Sequence, residues 1–222
     1  MRMRKKKNLL PRMEACSDFL IRDPYAMPGH WKELFPDARE IHVELGCGKG
    51  RFTVETAALH PDILLIAVEK VPDAMVVAME RAKEKNLPNV HFVVGDAALL
   101  PAMFSQCEVD KLYINFCDPW PGSRHAKRRL TCGGFLTQYR KVLKENGQIH
   151  FKTDNTALFE FSLEEIPLYG FSLSEVTDNL HENGPTGIMT DYEAKFYQEG
   201  IPIHRCVATI FPWEPKNEGK IE

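Results

Sequence analysis

Cysteine is sparse and unpaired in this 222-residue chain. The six present, Cys16, Cys47, Cys107, Cys117, Cys132 and Cys206, include no Cys-x-x-Cys pair, and no histidine spacing completes a zinc site. The expectation is free thiols in a reducing cytoplasm and no metal. Long apolar runs are absent as well. Leu9-Leu10 is stopped by Pro11, and the longest strongly apolar run, residues 63–68, is strand-sized, so neither a signal peptide nor a membrane span is readable. Bulk positive charge is also missing. The 28 Lys and Arg are outnumbered by 31 Asp and Glu, which excludes a protein that coats nucleic acid by overall charge. Any polyanion must be met by local patches, and two are present: Arg2, Arg4, Lys5, Lys6, Lys7 and Arg12 at the N-terminus, and Arg124 to Arg129 further on. With no internal repeat or clear linker, the chain reads as a soluble cytoplasmic protein with one sizeable core.

Residues up to Asp37 carry no sustained period, and prolines at 11, 24, 28 and 36 break up anything regular. The reading is a basic N-terminal arm over residues 1–37 ahead of a single domain over residues 38–222. Residues 40–45 alternate into a strand that runs into Gly46-Cys47-Gly48-Lys49-Gly50, and residues 52–60 read as a helix ended before Pro61. Residues 63–68 form a buried strand closed by Glu69. Pro72 opens a helix whose Met75, Val76, Met79 and Ala82 recur at three and four residues, and residues 89–94 form a strand ending at Gly95-Asp96. A fourth strand, residues 111–117, delivers Asp118. The apolar face of Phe135, Leu136, Tyr139, Val142 and Leu143 predicts a helix closed by Gly147, and a strand over 148–152 ends at Thr153-Asp154-Asn155. A helix over 156–169 interrupted by Pro167, a strand over 171–176, a helix over 190–198 and a strand over 201–211 follow. Strands alternating with helices predict a Rossmann-like, doubly wound α/β fold: a mostly parallel seven-stranded sheet with helices on both faces.

In such sheets a ligand sits outside the carboxyl ends of the strands, and five strand ends here carry an acid: Glu44, Glu69, Asp96, Asp118 and Asp154. Together they predict an acidic crevice, suited to a ligand with cationic groups and several donors, because ionised carboxylates only accept hydrogen bonds. Gly46, Gly48 and Gly50 follow Gly-x-Gly-x-Gly, one residue short of the dinucleotide fingerprint, and Glu44 beside them would repel a pyrophosphate. S-adenosylmethionine, which carries a sulfonium and an ammonium but no phosphate, fits better than a nicotinamide cofactor. In that reading Glu69 accepts from ribose hydroxyls and Asp96 from the adenine amine.

The segment Phe116-Cys117-Asp118-Pro119-Trp120-Pro121 places an acid and an aromatic ring in a turn stiffened by two prolines. Its Trp120 either stacks on a base or wedges the turn. A dense cationic run starts three residues later.

The chain resembles the bacterial tRNA (guanine-N7)-methyltransferases, which modify a variable-loop guanosine. The resemblance is carried by Val43-Glu44-Leu45-Gly46-Cys47-Gly48-Lys49-Gly50, Glu69-Lys70, Asp118-Pro119-Trp120-Pro121, Arg124-His125-Ala126-Lys127-Arg128-Arg129-Leu130, Phe151-Lys152-Thr153-Asp154-Asn155 and Thr190-Asp191-Tyr192-Glu193. It implies that Glu44, Glu69, Asp96 and Asp118 line an S-adenosylmethionine site and that Asp118 serves catalysis. It further implies that Asp154, Thr190, Asp191, Tyr192 and Glu193 bind the target guanosine, and that Arg124, His125, Lys127, Arg128 and Arg129 bind tRNA. The family's lysine after Asp-Pro-Trp-Pro is Gly122 here. The expected partner is tRNA, with no membrane, and the protein is a monomer or homodimer. Two other readings stay open at this point: a methyltransferase acting on an exocyclic amine, and a non-catalytic RNA-binding module that retains a cofactor crevice.

Overall fold

The computed structural model describes residues 6–213. Arg2, Arg4 and Lys5 of the N-terminal basic patch lie outside them. The elements in chain order are α1 (Leu9–Glu14), β1 (Glu40–Leu45), α2 (Arg51–Leu59), β2 (Ile63–Glu69), α3 (Pro72–Glu84), β3 (Val90–Val94), α4 (Leu100–Met103), β4 (Val109–Asn115), α5 (Gly133–Val142), β5 (Leu143–Thr153), α6 (Thr156–Leu168), β6 (Phe171–Thr177), α7 (Asp191–Gln198) and β7 (His204–Ile210).

The seven strands form one sheet in the order β3-β2-β1-β4-β5-β7-β6. The first five pair in parallel, while β7 runs antiparallel to both β5 and β6. From β1 the chain moves outward to β2 and β3, then crosses to β4 on the other side. The reversal opens a crevice at the carboxyl ends of β1 and β4, where open α/β sheets hold their ligands.

The two-residue period of the strands divides the core. Ile41, Val43 and Leu45 of β1 join Leu112, Ile114, Ile149 and Phe151 under α5 and α6, which contribute Leu136, Tyr139, Leu158 and Phe159. On the opposite face, Leu65, Ala67 and Phe92 pack against Phe52 and Val54 of α2 and Met75 and Met79 of α3. The spacing of Met75, Met79 and Ala82 thus places one side of α3 on the sheet, and Pro72 occupies its first turn, where no N–H is needed. Regular pairing of β4 with β5 starts at Gln148, and the residues after Leu143 form a bulge with Asn146 at φ 60°. Gly147, expected to close a helix, lies in this bulge. There an added Cβ would come within 2.9 Å of the Lys144 carbonyl oxygen. Pro167 lies in the last turn of α6 and does not interrupt it.

The segment before β1, expected as an arm, is docked onto the domain. Trp31 has no exposed surface, stacks on Phe104 at 4.9 Å and donates its indole N–H to the Met103 carbonyl at 2.8 Å. Arg12 in α1 makes a two-pronged ion pair with Glu80 of α3. Leu20 bridges β3 in parallel, and the Ile21 N–H donates to Phe92 O at 2.9 Å. Short 3₁₀ turns at Ser17–Phe19, Pro24–Ala26 and Trp31–Leu34 carry the chain between these anchors. Turns this short show no hydrophobic period, which is why the sequence pattern reads as irregular.

Candidate active site and cofactor crevice

The alternation of β1 sends Glu44 to the α2 face, where it is almost fully buried at 1% exposure. Thr53 of α2 donates to one carboxylate oxygen at 2.5 Å and Asn115 Nδ2 of β4 to the other at 3.3 Å. No cation pairs with it among the described residues. Burial therefore dominates over these two hydrogen bonds and pushes the Glu44 pKa up to about 7. Asn115 Oδ1 is itself buried and has no hydrogen-bond partner among the described residues. A buried carboxylate and an orphaned acceptor at the switch point are the donor-seeking side of a site for a cationic, hydrogen-bonding ligand.

The glycine loop follows directly. Gly46, Gly48 and Gly50 all have positive φ, and no atom would meet a Cβ at the first two, so the crevice side of the loop is open. Gly50 is required twice over, because its Cβ would fall 2.3 Å from that of Ala78 on α3. Glu69, at the end of β2, holds the loop in place: one oxygen accepts the Gly48 N–H at 2.9 Å and the other the Val71 N–H at 2.8 Å. Each oxygen keeps a second lone pair. Asp96 accepts the Ala98 N–H at 3.1 Å and pairs with Lys70 at 2.6 Å, and these contacts lower its pKa.

The acid of the proline turn, Asp118, is exposed and has no hydrogen bond or ion pair among the described residues. Its turn carries backbone strain, since Phe116 and Trp120 are non-glycine residues at φ 54° and 43°. Arg129 braces this turn: its guanidinium donates to the carbonyls of Pro119 at 3.2 Å and Trp120 at 3.3 Å, and lies 4.3 Å over the Phe161 ring. Arg128 sits 4.8 Å over Trp120. The cationic run is a 3₁₀ helix, Ser123–Arg128, that leaves Arg124, His125, Lys127 and Arg128 exposed. Gly122, at the position of the family's lysine, has φ 87° and open surroundings.

Asp154, one residue beyond β5, is exposed. Thr190 caps α7 by accepting the Glu193 N–H at 2.9 Å, while Glu193 accepts the Thr190 N–H at 3.1 Å. The Thr-x-x-Glu spacing is the sequence signature of this reciprocal cap. Glu193 is wholly buried, and its oxygens also meet Lys152 Nζ at 2.6 Å and His181 Nε2 at 3.1 Å. Asp191 pairs with Arg81 of α3 at 2.8 Å, and Tyr192 is exposed. Of the motif on α7, therefore, Tyr192 faces outward, whereas Thr190, Asp191 and Glu193 are engaged within the protein.

The sequence assigns no role to Thr53, Arg81, Asn115 or Lys152, although Lys152 stands in the motif that ends at Asn155. A signal existed for two of them: Asn115 and Lys152 are polar residues near strand ends directly after the apolar Ile114 and Phe151, and a buried polar group in a strand is informative. A cavity of about 210 Å³ lies beside them, lined by Phe52, Tyr113, Asn115, His150, Lys152 and part of the loop at 180–188. Among the described residues no helix is long and apolar enough to cross a membrane.

Residues 38–206 match the family described as "Putative methyltransferase". A tRNA (guanine-N(7)-)-methyltransferase of Geobacillus kaustophilus is 44% identical over 213 residues, covering 96% of this chain and 98% of that relative. One from Bacillus cytotoxicus is 45% identical over 209 residues, with 94% and 96% covered, and one from Lactococcus lactis subsp. cremoris is 42% identical over 215 residues, with 96% and 99% covered. Among solved structures, the 16S rRNA methyltransferase KamB superposes with a TM-score of 0.63 at 17% identity, covering 83% of this chain and 94% of that one. The 16S rRNA (adenine(1408)-N(1))-methyltransferase from Catenulisporales acidiphilia gives 0.59 at 16% identity, with 84% and 94% covered. These structures share the fold. The agreement of motifs, crevice and near-full-length identity establishes that the chain belongs to the tRNA (guanine-N(7)-)-methyltransferase family.

Proposed function

We propose that this protein transfers the methyl group of S-adenosylmethionine to N7 of a guanosine in the variable loop of tRNA, giving 7-methylguanosine. The observation that carries the reading is the presence, across the switch point, of two carboxylates with no ion pair among the described residues: a buried one, Glu44, and an exposed one, Asp118. S-adenosylmethionine supplies a methyl group made electrophilic by its sulfonium.

Glu44, with Thr53 and Asn115 behind it, offers its charge to the cationic end of the cofactor. The backbone of Gly46, Gly48 and Gly50 lines its path, the free lone pairs of Glu69 take the ribose hydroxyls, and Asp96 accepts from the adenine amine. Asp118 faces both substrates. Guanine N7 has a free lone pair at neutral pH, so no proton has to leave before attack, and orientation and electrostatics supply most of the catalysis. Asp118 orients the guanine through its N–H donors and offsets the positive charge that develops on the purine. Asp154 and Tyr192 contact the guanosine directly, and Thr190, Asp191 and Glu193 shape the helix end that presents Tyr192.

For RNA, Arg124, His125, Lys127 and Arg128 meet the phosphate backbone, which fixes position while the pocket reads the base. Arg124, the cationic residue nearest in sequence to Gly122, takes over the charge of the missing lysine. Arg129 braces the turn from inside. The protein works in the cytoplasm as a monomer or homodimer, with residues 38–222 as the catalytic domain and residues 1–37 as a basic N-terminal segment.

Incubation with bulk unmodified tRNA and labelled S-adenosylmethionine, followed by nucleoside analysis, tests the reading. Label in 7-methylguanosine supports it. Label in an N-methylated exocyclic amine, or none at all, overturns it.

A further inference from the structure

Arg81 lies on α3 at the edge of the crevice, and one guanidinium there serves two elements. Nη1 donates to the Lys49 carbonyl of the glycine loop at 3.0 Å and to Asp191 Oδ2 at 2.8 Å, while Nη2 donates to Asp191 Oδ1 at 3.3 Å. Among the described residues it is the one side chain hydrogen-bonded to both the loop and α7. The planar fork of arginine makes this possible, since two nitrogens held in one plane reach both Asp191 oxygens and the Lys49 carbonyl, whereas an ammonium offers its three donors from a single atom.

Both ends of this bridge matter to the reading above, on which the inference rests. Lys49 lies between Gly48 and Gly50, so its carbonyl orientation follows the conformation of three glycines at positive φ. Asp191 is the first residue of α7, next to the Thr190 cap and the outward-facing Tyr192. A second contact links α7 to the proline turn, through Phe196 against Phe116 at 5.9 Å. The helix α7 is thus tied at its first residue to the cofactor loop and in its last turn to the turn that carries Asp118. Arg81 and Asp191 are each more than a third exposed, and an ion pair so placed adds little to stability. Its position between two ligand-bearing elements gives it a different use.

We propose that Arg81 is a positioning residue that couples the two substrates: a cofactor that orders the glycine loop fixes the Lys49 carbonyl, and Arg81 passes that order to Asp191 and the guanosine-binding end of α7. The second ligand then meets an element whose ordering is already complete, which is positive coupling between sites. The coupling is reciprocal, so tRNA tightens the cofactor by the same factor.

The test measures tRNA affinity with and without saturating S-adenosylhomocysteine, in wild type, Arg81→Ala, Arg81→Lys and Asp191→Asn. The expected wild-type enhancement is at least about fivefold. It falls to near unity in Arg81→Ala and Asp191→Asn, is not rescued by Arg81→Lys, and falls no further in the Arg81→Ala/Asp191→Asn double variant. Melting temperature stays within error of wild type, and the enhancement is a ratio taken within each variant, so a merely structural loss that weakened tRNA binding equally with and without S-adenosylhomocysteine would not lower it. An enhancement that survives both single substitutions, or a wild type that binds each ligand with no enhancement, overturns the coupling alone. A wild type that binds neither ligand overturns the functional reading beneath it as well.

Discussion

Glu193 holds Lys152 at 2.6 Å on one carboxylate oxygen and His181 at 3.1 Å on the other, with no exposed surface of its own. Lys152 donates a further bond to the Ile188 carbonyl at 3.0 Å and lies 5.2 Å over the Phe52 ring, at the start of the helix after the glycine loop. Burial pulls the lysine pKa down while the carboxylate pulls it up. A single buried ion pair therefore joins β5, the loop before α7, α7 itself and the cofactor side of the crevice.

Removing one partner strands the other. Glu193→Gln is expected to destabilise the fold by about 3–5 kcal/mol, because the Lys152 ammonium stays buried without its counter-charge. The double replacement Lys152→Met/Glu193→Leu costs less than that single change. Urea unfolding monitored by circular dichroism measures both, and a Glu193→Gln variant within about 1 kcal/mol of wild type contradicts the buried-pair account.

Asp118→Asn keeps the size of the side chain and removes its charge. If the carboxylate offsets charge developing on the purine, the single-turnover rate falls at least about tenfold, equivalent to about 1.4 kcal/mol of barrier. The tRNA dissociation constant changes much less. A rate loss well under tenfold removes the electrostatic role.

Arg128 and Arg129 are neighbours in sequence with opposite predicted phenotypes. Arg128 is exposed beside Trp120, and its replacement by Ala weakens tRNA binding and lowers the slope of log affinity against log salt by about 1. Arg129 spends its donors on Pro119 and Trp120, so Arg129→Ala lowers the rate of methyl transfer and leaves the salt slope unchanged. Equal salt slopes for the two variants would show that this division is wrong.

The raised pKa of Glu44, about 7 against an ordinary 4.5, has two consequences of defined sign. In the ligand-free protein the native state holds this proton more tightly than the unfolded chain does. Glu44 thus contributes stability that is present below pH 4.5 and is lost as pH rises through about 7. A cationic ligand needs the ionised form, so S-adenosylmethionine binding strengthens about eightfold from pH 6 to 7.5 and releases a proton. Calorimetry in buffers of different ionisation enthalpy reads that release. Glu44→Gln binds weakly and shows neither the release nor the pH slope.

The regular part of the fold was legible because local patterns report it. Period-two alternation in β1, the apolar run of β2 and the spacing of Met75, Met79 and Ala82 each survive intact in the structure. The acids at the strand ends were legible for the same reason: where a strand ends is a local matter, and topology gathers those ends on one rim. Which way a side chain turns at that rim is not local. Nothing in the run from Arg124 to Arg129 marks Arg129 as the one that folds back under the turn, and nothing near Asp191 announces a partner 110 residues away. The docking of the N-terminal segment was not legible because its anchors, Arg12 on Glu80, Leu20 and Ile21 on β3, and Trp31 on Phe104 and Met103, are isolated contacts without a repeating stripe.

The bridge from Leu20 and Ile21 onto Phe92 also guards a border. β3 is an outermost strand of the sheet, and its free backbone groups are where a foreign strand would add on; the docked segment occupies part of that margin. On the far border, β6 loses its regular pairing between Ser174 and Thr177, with Glu175 at φ 49°, and a bulge of this kind turns an edge away from straight neighbours. The same sheet that gathers five acids at one rim is thus protected at both sides against templating aggregation.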